Sequence, residues 1–340
     1  MVKLDFFKAC AKMNLNAEDE MIFSEYISDI DSYMADSIEN HKIQLLFIKH
    51  INDLACADCI DKRIYEKFSN KLFYIQHKYE EHLEYLNRIV TSSEMQTVKH
   101  AVLKGFAITY DLYKNNGIIY RPFSDVDILV DRRDAQVVDK ALKEIGFVQG
   151  KIKGGKIILA DRKDIIRNSL NMHQLHEYIC LSKHSNLSSI YHVEFDINTS
   201  IFEGGMKRDP IDTSELLNHR MRRKVADDFE VYSLDYIYCL IQLCYHFYKD
   251  TVYDKKKKTH DDYCLLKFCD IREYVLQYKG KIDWKEFVRV VNEAQIGNQI
   301  FYPLWLVSSF YGDLEIEDIL YQLKDKRYQI TDIDWEKILL

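Results

Sequence analysis

The chain has 340 residues, 47% hydrophobic and 30% charged, the balance of ordinary globular domains with length for two or three cores. Lys and Arg number 47 against 54 Asp and Glu, and the net charge of −7 argues against a general nucleic-acid binder, which needs a basic excess or a basic face; a small basic pocket is still compatible with it. Glycine (11) and proline (3) are too scarce for an all-β fold full of tight turns, so long helices are expected.

Lys3, Asp5 and Lys8 interrupt any signal-peptide core, and no run reaches the roughly 18 apolar residues of a membrane helix. The eight cysteines are scattered. One pair, Cys56 and Cys59, has Cys-x-x-Cys spacing without a second pair to complete a zinc site, and reads as buried free thiols. A reducing cytoplasm and no membrane partner are the expectation.

Residues 1–95 read as a helical region. Helices are predicted over Asn16–Ile30 and Ser37–Leu54, with Asn16 and Ser37 as N-caps. From Asp61 to Val90, the residues Ile64, Phe68, Leu72, Ile75, Tyr79, Leu83, Leu86 and Val90 recur at steps of three and four. They form one apolar stripe on a long helix. Ser92 and Ser93 with Glu94 offer the cap of a further short helix.

Near residue 97 the pattern changes, and residues 96–205 read as a mixed unit of strands and helices. Ala101–Leu103 is a short strand broken at Lys104-Gly105; Phe106–Tyr113 is a helix that Asn115-Asn116-Gly117 ends. Asp125–Val130 is a strand, Asp134–Ile145 a helix stopped by Gly146. Strands follow at Phe147-Val148 and Lys156–Leu159, around a Gly154-Gly155 turn. Ile165–Leu170 fits either state. Glu177–Leu181 and Ile190–Ile197 read as strands. Residues 206–340 read as helical again, with Ser233 capping a helix to Tyr248 and later helices over Tyr263–Tyr278, Trp284–Ala294 and Ile300–Tyr311. The four lysines Lys255–Lys258 form a polar connection, either a solvated loop or a basic flap that meets phosphates.

The chemistry concentrates at Asp125-Val126-Asp127. Side chains alternate along a strand, so both carboxylates point to one side. Two such groups on a core strand repel one another and are costly to desolvate. A divalent cation resolves both problems, and Mg²⁺ is typically held by one or two carboxylates plus substrate phosphates. Four histidines (His173, His176, His184, His192) precede Glu194. No pair of them has helical i, i+4 spacing with a matching acid, so a zinc site is not expected.

Lys104-Gly105, then Arg121-Pro122-Phe123-Ser124-Asp125-Val126-Asp127-Ile128-Leu129-Val130, then a helix ending at Gly146-Phe147, resemble bacterial nucleotidyltransferase-family proteins of the DNA polymerase β-like superfamily. The resemblance runs from about 95 to 280, and its branch carries Lys-Gly where most of the superfamily has Gly-Ser. It implies an α+β fold: a small mixed sheet flanked by helices, with helical regions on both sides. It also implies a third acid on a neighbouring strand. Glu194 falls on that position in Val193-Glu194-Phe195-Asp196-Ile197. Asp196 shares its strand face and is the alternative.

The implied reaction moves an NMP from an NTP such as ATP to an acceptor hydroxyl and expels pyrophosphate, with Mg²⁺ or Mn²⁺ in a two-metal site held by Asp125, Asp127 and Glu194. At the nucleotide the resemblance places Lys104, Gly105, Arg121, Ser124 and His176: Lys104 as a point charge, Gly105 for close backbone approach, and Arg121 either on the triphosphate or as a salt bridge orienting Asp125. A small molecule or a protein side chain is the expected acceptor. Two alternatives stay open: a nucleotide-binding regulatory or antitoxin-like protein, and an RNA 3′-end nucleotidyltransferase.

Overall fold

The computed structural model of the chain describes residues 2–154, 156–171, 173–183, 192–202, 209–253 and 264–323. Its chain falls into two compact units, one drawn from Met1–Phe73, Leu112–Pro122 and Leu243–Leu340, the other from Tyr74–Asp111 and Phe123–Gln242. Among the described residues no helix is long and apolar enough to cross a membrane. The strands in chain order are β1 (His100–Val102), β2 (Lys114–Asn115), β3 (Ile118–Ile119), β4 (Val126–Val130), β5 (Val148–Lys153), β6 (Lys156–Leu159), β7 (Tyr178–Leu181), β8 (His192–Asn198), β9 (Arg220–Lys224) and β10 (Glu230–Leu234).

The first unit is helical apart from the β2–β3 hairpin. Its N-terminal helices close on an aromatic cluster in which Phe23 lies 5.5 Å from both Phe6 and Phe47, and Phe47 lies 5.7 Å from Phe68. Asn16 caps the helix Ala17–Tyr26 as expected, accepting from Asp19 N at 2.9 Å in a capping box. Ser37 is not a cap. It lies inside the helix Ser32–Asn40, which Asp31 caps, and Lys42 at φ 57° breaks the chain before the helix Gln44–Asp53. A short polar side chain caps only where the chain enters the helix, and Asp31 holds that place. Asn116 and Gly117, both at positive φ, turn the β2–β3 hairpin rather than end the preceding helix, which stops at Tyr113 with β2 between. Cys56 and Cys59 are free thiols, but neither is buried: Cys56 is half-buried and Cys59 exposed.

The second unit carries one mixed sheet of eight strands in the order β6-β5-β7-β8-β4-β1-β10-β9. Parallel pairing joins β4 to β8 and β1 to β10; the other neighbours are antiparallel. This sheet is larger than the small one expected, because β9 and β10 lie in a stretch read as helical. The reason is local: β9 reads Arg-Met-Arg-Arg-Lys, and its buried residue is Arg223, whose guanidinium meets Asp111 at 3.1 Å and Ser233 Oγ at 3.0 Å. A strand whose inward position is a paired arginine shows no apolar alternation. Ser233 accordingly sits on β10, and the helix Tyr236–Tyr248 receives its N-terminal bonds at Asp235 Oδ1. The ambiguous stretch near 165 is the helix Arg162–Asn171.

The apolar stripe forms the helix Lys62–Val90. Within the second unit its Tyr79 stacks on Phe106 at 4.9 Å, and its buried His82 meets Phe123 edge-on at 5.1 Å and stacks on Phe195 at 6.1 Å. Phe195 and Val126 are register partners, as are Ile197 and Ile128, so one face of β4 and β8 closes on this buried layer. The alternate residues, Asp127 and Asp196, turn to the other face.

Candidate metal centre

Leu103 N donates to Asp127 O at 2.9 Å, which holds the end of β1 alongside Asp127. Lys104 follows at φ 51°. A left-handed conformation costs a non-glycine residue about 1 kcal/mol or more, so the surroundings must impose it. Two bonds do: the backbone N–H donates to Gln242 Oε1 at 3.1 Å, and Nζ meets Asp127 Oδ1 at 2.7 Å. Gln242 thereby occupies the first N–H of the helix Lys104–Tyr113, where phosphate contact was expected. Gly105 is buried on the next position, and its carbonyl accepts from Thr109 Oγ1 at 2.6 Å.

Register sets the third carboxylate. Asp127 pairs with Asp196 and Leu129 with Asn198 across the parallel β4–β8 ladder. Asp125 lies two residues before Asp127, just ahead of β4. One ligand oxygen from each of Asp125, Asp127 and Asp196 lies within 4.8 Å of the others. Glu194, the acid favoured from the sequence, is not in this group; it lies two residues earlier on β8 and meets His192 Nε2 at 3.4 Å. The alternative weighed beside it, Asp196, is the residue that β8 brings to Asp127.

These carboxylates are poorly neutralised. Burial raises the pKa of Asp127, and repulsion from Asp125 adds to it against the opposing Lys104 charge. Asp196 is pushed up to about 8, first by burial and then by Asp125, Asp127 and Glu194. For Lys104 burial acts to lower the pKa, and the Asp127 and Asp125 charges outweigh it, so the ammonium is held above its usual value. Asp196 Oδ1 is buried with no hydrogen-bond partner among the described residues. An orphaned carboxylate oxygen beside two further carboxylates is a donor set for a hard, oxygen-seeking cation such as Mg²⁺.

Asn198 was missed from the sequence. Its Nδ2 donates to Asp127 Oδ1 at 2.9 Å, so this bond and that of Lys104 fall on one oxygen. Strand alternation from Asp196 already put it on the same face. Lys78 was missed as well: its ammonium meets the carbonyls of Ser124 at 2.6 Å and Phe123 at 3.1 Å, fixing the approach to Asp125.

Ser124 is exposed, and its hydroxyl donates to Asp125 Oδ1 at 2.6 Å. Arg121 was expected on the triphosphate or in a salt bridge to Asp125. It belongs to the first unit, where its guanidinium forms a buried fork on Asp270 with bonds of 2.8 and 2.7 Å. His176 is buried with Nδ1 unpartnered among the described residues, outside the carboxylate group. His184 and Lys255–Lys258 lie outside the described residues.

No curated protein matches the chain. A family model described as an uncharacterised nucleotidyltransferase matches residues 31–312, a span that contains all three aspartates, and the chain belongs to that family.

Proposed function

We propose that the chain is a Mg²⁺-dependent nucleotidyltransferase with a polymerase β-like core. It moves an NMP from an NTP to a hydroxyl of a small molecule or protein and releases pyrophosphate. The observation that carries this reading is the group of three aspartates on adjoining strand positions, with one buried oxygen unpartnered among the described residues. The reading departs from the sequence expectation in one residue: Asp196, rather than Glu194, joins Asp125 and Asp127 as the metal-holding acid. Bound there, Mg²⁺ supplies Lewis-acid stabilisation of charge on the phosphate oxygens.

The chain's own residues do the rest. Lys104 and Asn198 hold Asp127 in place through Oδ1, leaving Oδ2 outside both bonds. With its charge already beside the carboxylates, Lys104 also serves the triphosphate as a point charge. Asp196, the third acid of the group, takes the acceptor's hydroxyl proton, directly or through the metal it would hold. The acceptor oxygen then bonds the α-phosphorus, the α–β bridging P–O bond breaks, and its electron pair leaves on pyrophosphate.

Incubating the protein with each α-labelled NTP, Mg²⁺ and a cell extract tests this reading. Label is expected to enter one acceptor with wild type and to vanish with Asp127→Asn and Asp196→Asn. Protease, RNase and size filtration then distinguish a protein, an RNA and a small acceptor. Labelling that persists in both variants rules the proposal out.

A further inference from the structure

A second hollow lies in the same unit, at the other end of β1 from Lys104. Its volume is about 650 Å³, within the range of small-ligand sites. His100, which opens β1, is four residues before Lys104, roughly 13 Å along a strand. One wall is the outward side of edge strand β9, with Arg220, Arg222 and Lys224, and Tyr232 of β10 stands beside them.

Among the described residues, none of these three cations has a carboxylate within ion-pair distance. The contrast lies on the same strand: Arg223, facing the other way, is paired with Asp111. Two of the three are also held in place. The Arg220 and Arg222 guanidinium carbons lie 4.1 and 4.3 Å from the Tyr232 ring centroid, and Arg220 Nη1 donates to His100 O at 3.2 Å. A stacked guanidinium keeps its outer N–H groups available for a bidentate anion. The electrostatics agree with the geometry: burial and then the Arg220 and Arg222 charges are the influences that lower the His100 pKa, against its bond to Val98 O.

Edge strands often carry charges that block pairing with other chains. That role calls only for exposed charge, which Arg222 and Lys224 supply. It does not call for two guanidiniums stacked on one ring beside a hollow of ligand size.

We propose that this hollow is a second binding site, separate from the metal centre, for a small phosphorylated molecule. Its phosphates lie among Arg220, Arg222 and Lys224, and its uncharged part lies against the apolar lining of Val90, Val98 and Phe229. Asp227, Asp228 and Glu230 also line the hollow, where they accept from hydroxyl or amino groups of such a ligand. The same three acids repel a long polyanion, so a nucleic-acid strand fits less well. None of this depends on the transferase reading.

The test is calorimetry of the full chain with inorganic pyrophosphate in EDTA, where the metal-free carboxylates repel anions. Saturable one-site binding is expected, unchanged in Asp127→Asn and weakened at least about tenfold in Arg222→Gln/Lys224→Gln. Both substituted side chains are exposed, so the fold is retained, and circular dichroism checks it. Lys224→Glu alone gives a further decrease relative to Lys224→Gln. Any of four results overturns the proposal: no saturable binding, equal affinity in the double variant, loss in Asp127→Asn, or a short RNA binding more tightly than pyrophosphate through the same arginines.

Discussion

Lys104 Nζ stands 2.7 Å from Asp127 Oδ1, the oxygen that Asn198 Nδ2 also reaches at 2.9 Å. The lysine therefore partly neutralises Asp127 in the absence of a cation and competes with any cation that arrives.

Lys104→Met separates these two effects. Removing the ammonium takes away a like charge from the metal's surroundings, so Mn²⁺ binding tightens by roughly three- to tenfold. Turnover falls by about a hundredfold, because the same charge serves the triphosphate. Calorimetry with Mn²⁺ and labelled-NTP transfer measure the two. Weaker metal binding in Lys104→Met would show that the lysine supports the site only by packing.

Metal affinity depends on pH with a definite sign. The Asp196 pKa is pushed up to about 8 in the metal-free protein, so below that value a cation must displace its proton. Mn²⁺ affinity rises by up to roughly tenfold per pH unit below about 8 and levels off above it. In Asp196→Asn that rise is lost together with most of the affinity. Calorimetry in buffers of differing ionisation enthalpy counts the released proton. An affinity flat with pH below 8 contradicts the assignment of Asp196.

That Asp125 and Asp127 share a side was legible because a period-two pattern along an extended run fixes which side chains point together. The third acid was legible only as a pair, since Glu194 and Asp196 share a face of β8 as well. Choosing between them needs the register of β8 against β4, a long-range pairing that no local pattern encodes. The partner of Arg121 was hidden for a related reason: Asp270 lies 149 residues away in sequence, and nothing near Arg121 announces it. The long helix was read within one residue of its start, Lys62, because its apolar spacing is sustained over many turns. β9 was invisible because its buried residue is a paired arginine.

Arg121 and Asp270 form a buried ion pair in the first unit. Tyr113 Oη adds a third bond to the same carboxylate at 2.8 Å. Truncating one partner leaves the other charge buried and unpaired, so Arg121→Met costs about 3–5 kcal/mol. Arg121→Met/Asp270→Asn recovers part of that loss, because it also removes the stranded charge. Urea unfolding of the three proteins gives the coupling. Mn²⁺ affinity at the three aspartates should stay unchanged throughout. A loss of metal binding in a folded Arg121→Met variant would return Arg121 to the site.

His82, whose pKa is shifted down where that of Asp196 is shifted up, supplies a prediction of acid sensitivity in the fold itself. The imidazole is buried among Phe123 and Phe195; Nδ1 lies 2.7 Å from Lys78 O, and Nε2 has no partner among the described residues. Burial, with the Lys78 charge beside it, pushes its pKa down to about 3. The unfolded chain takes up a proton near the ordinary value of about 6.5, whereas the folded one resists it until about 3. His82 therefore withdraws no stability above about 6.5 and destabilises the fold increasingly as pH falls toward 3, by about 2 kcal/mol at pH 5. His82→Phe keeps an aromatic ring in the aromatic layer and cannot be protonated. In metal-free protein, where Asp196 titrates identically in both chains, the variant should lose less stability than wild type between pH 7 and pH 5. Urea unfolding at the two pH values measures the difference. Equal losses in the two proteins would mean that His82 is not buried as a neutral ring.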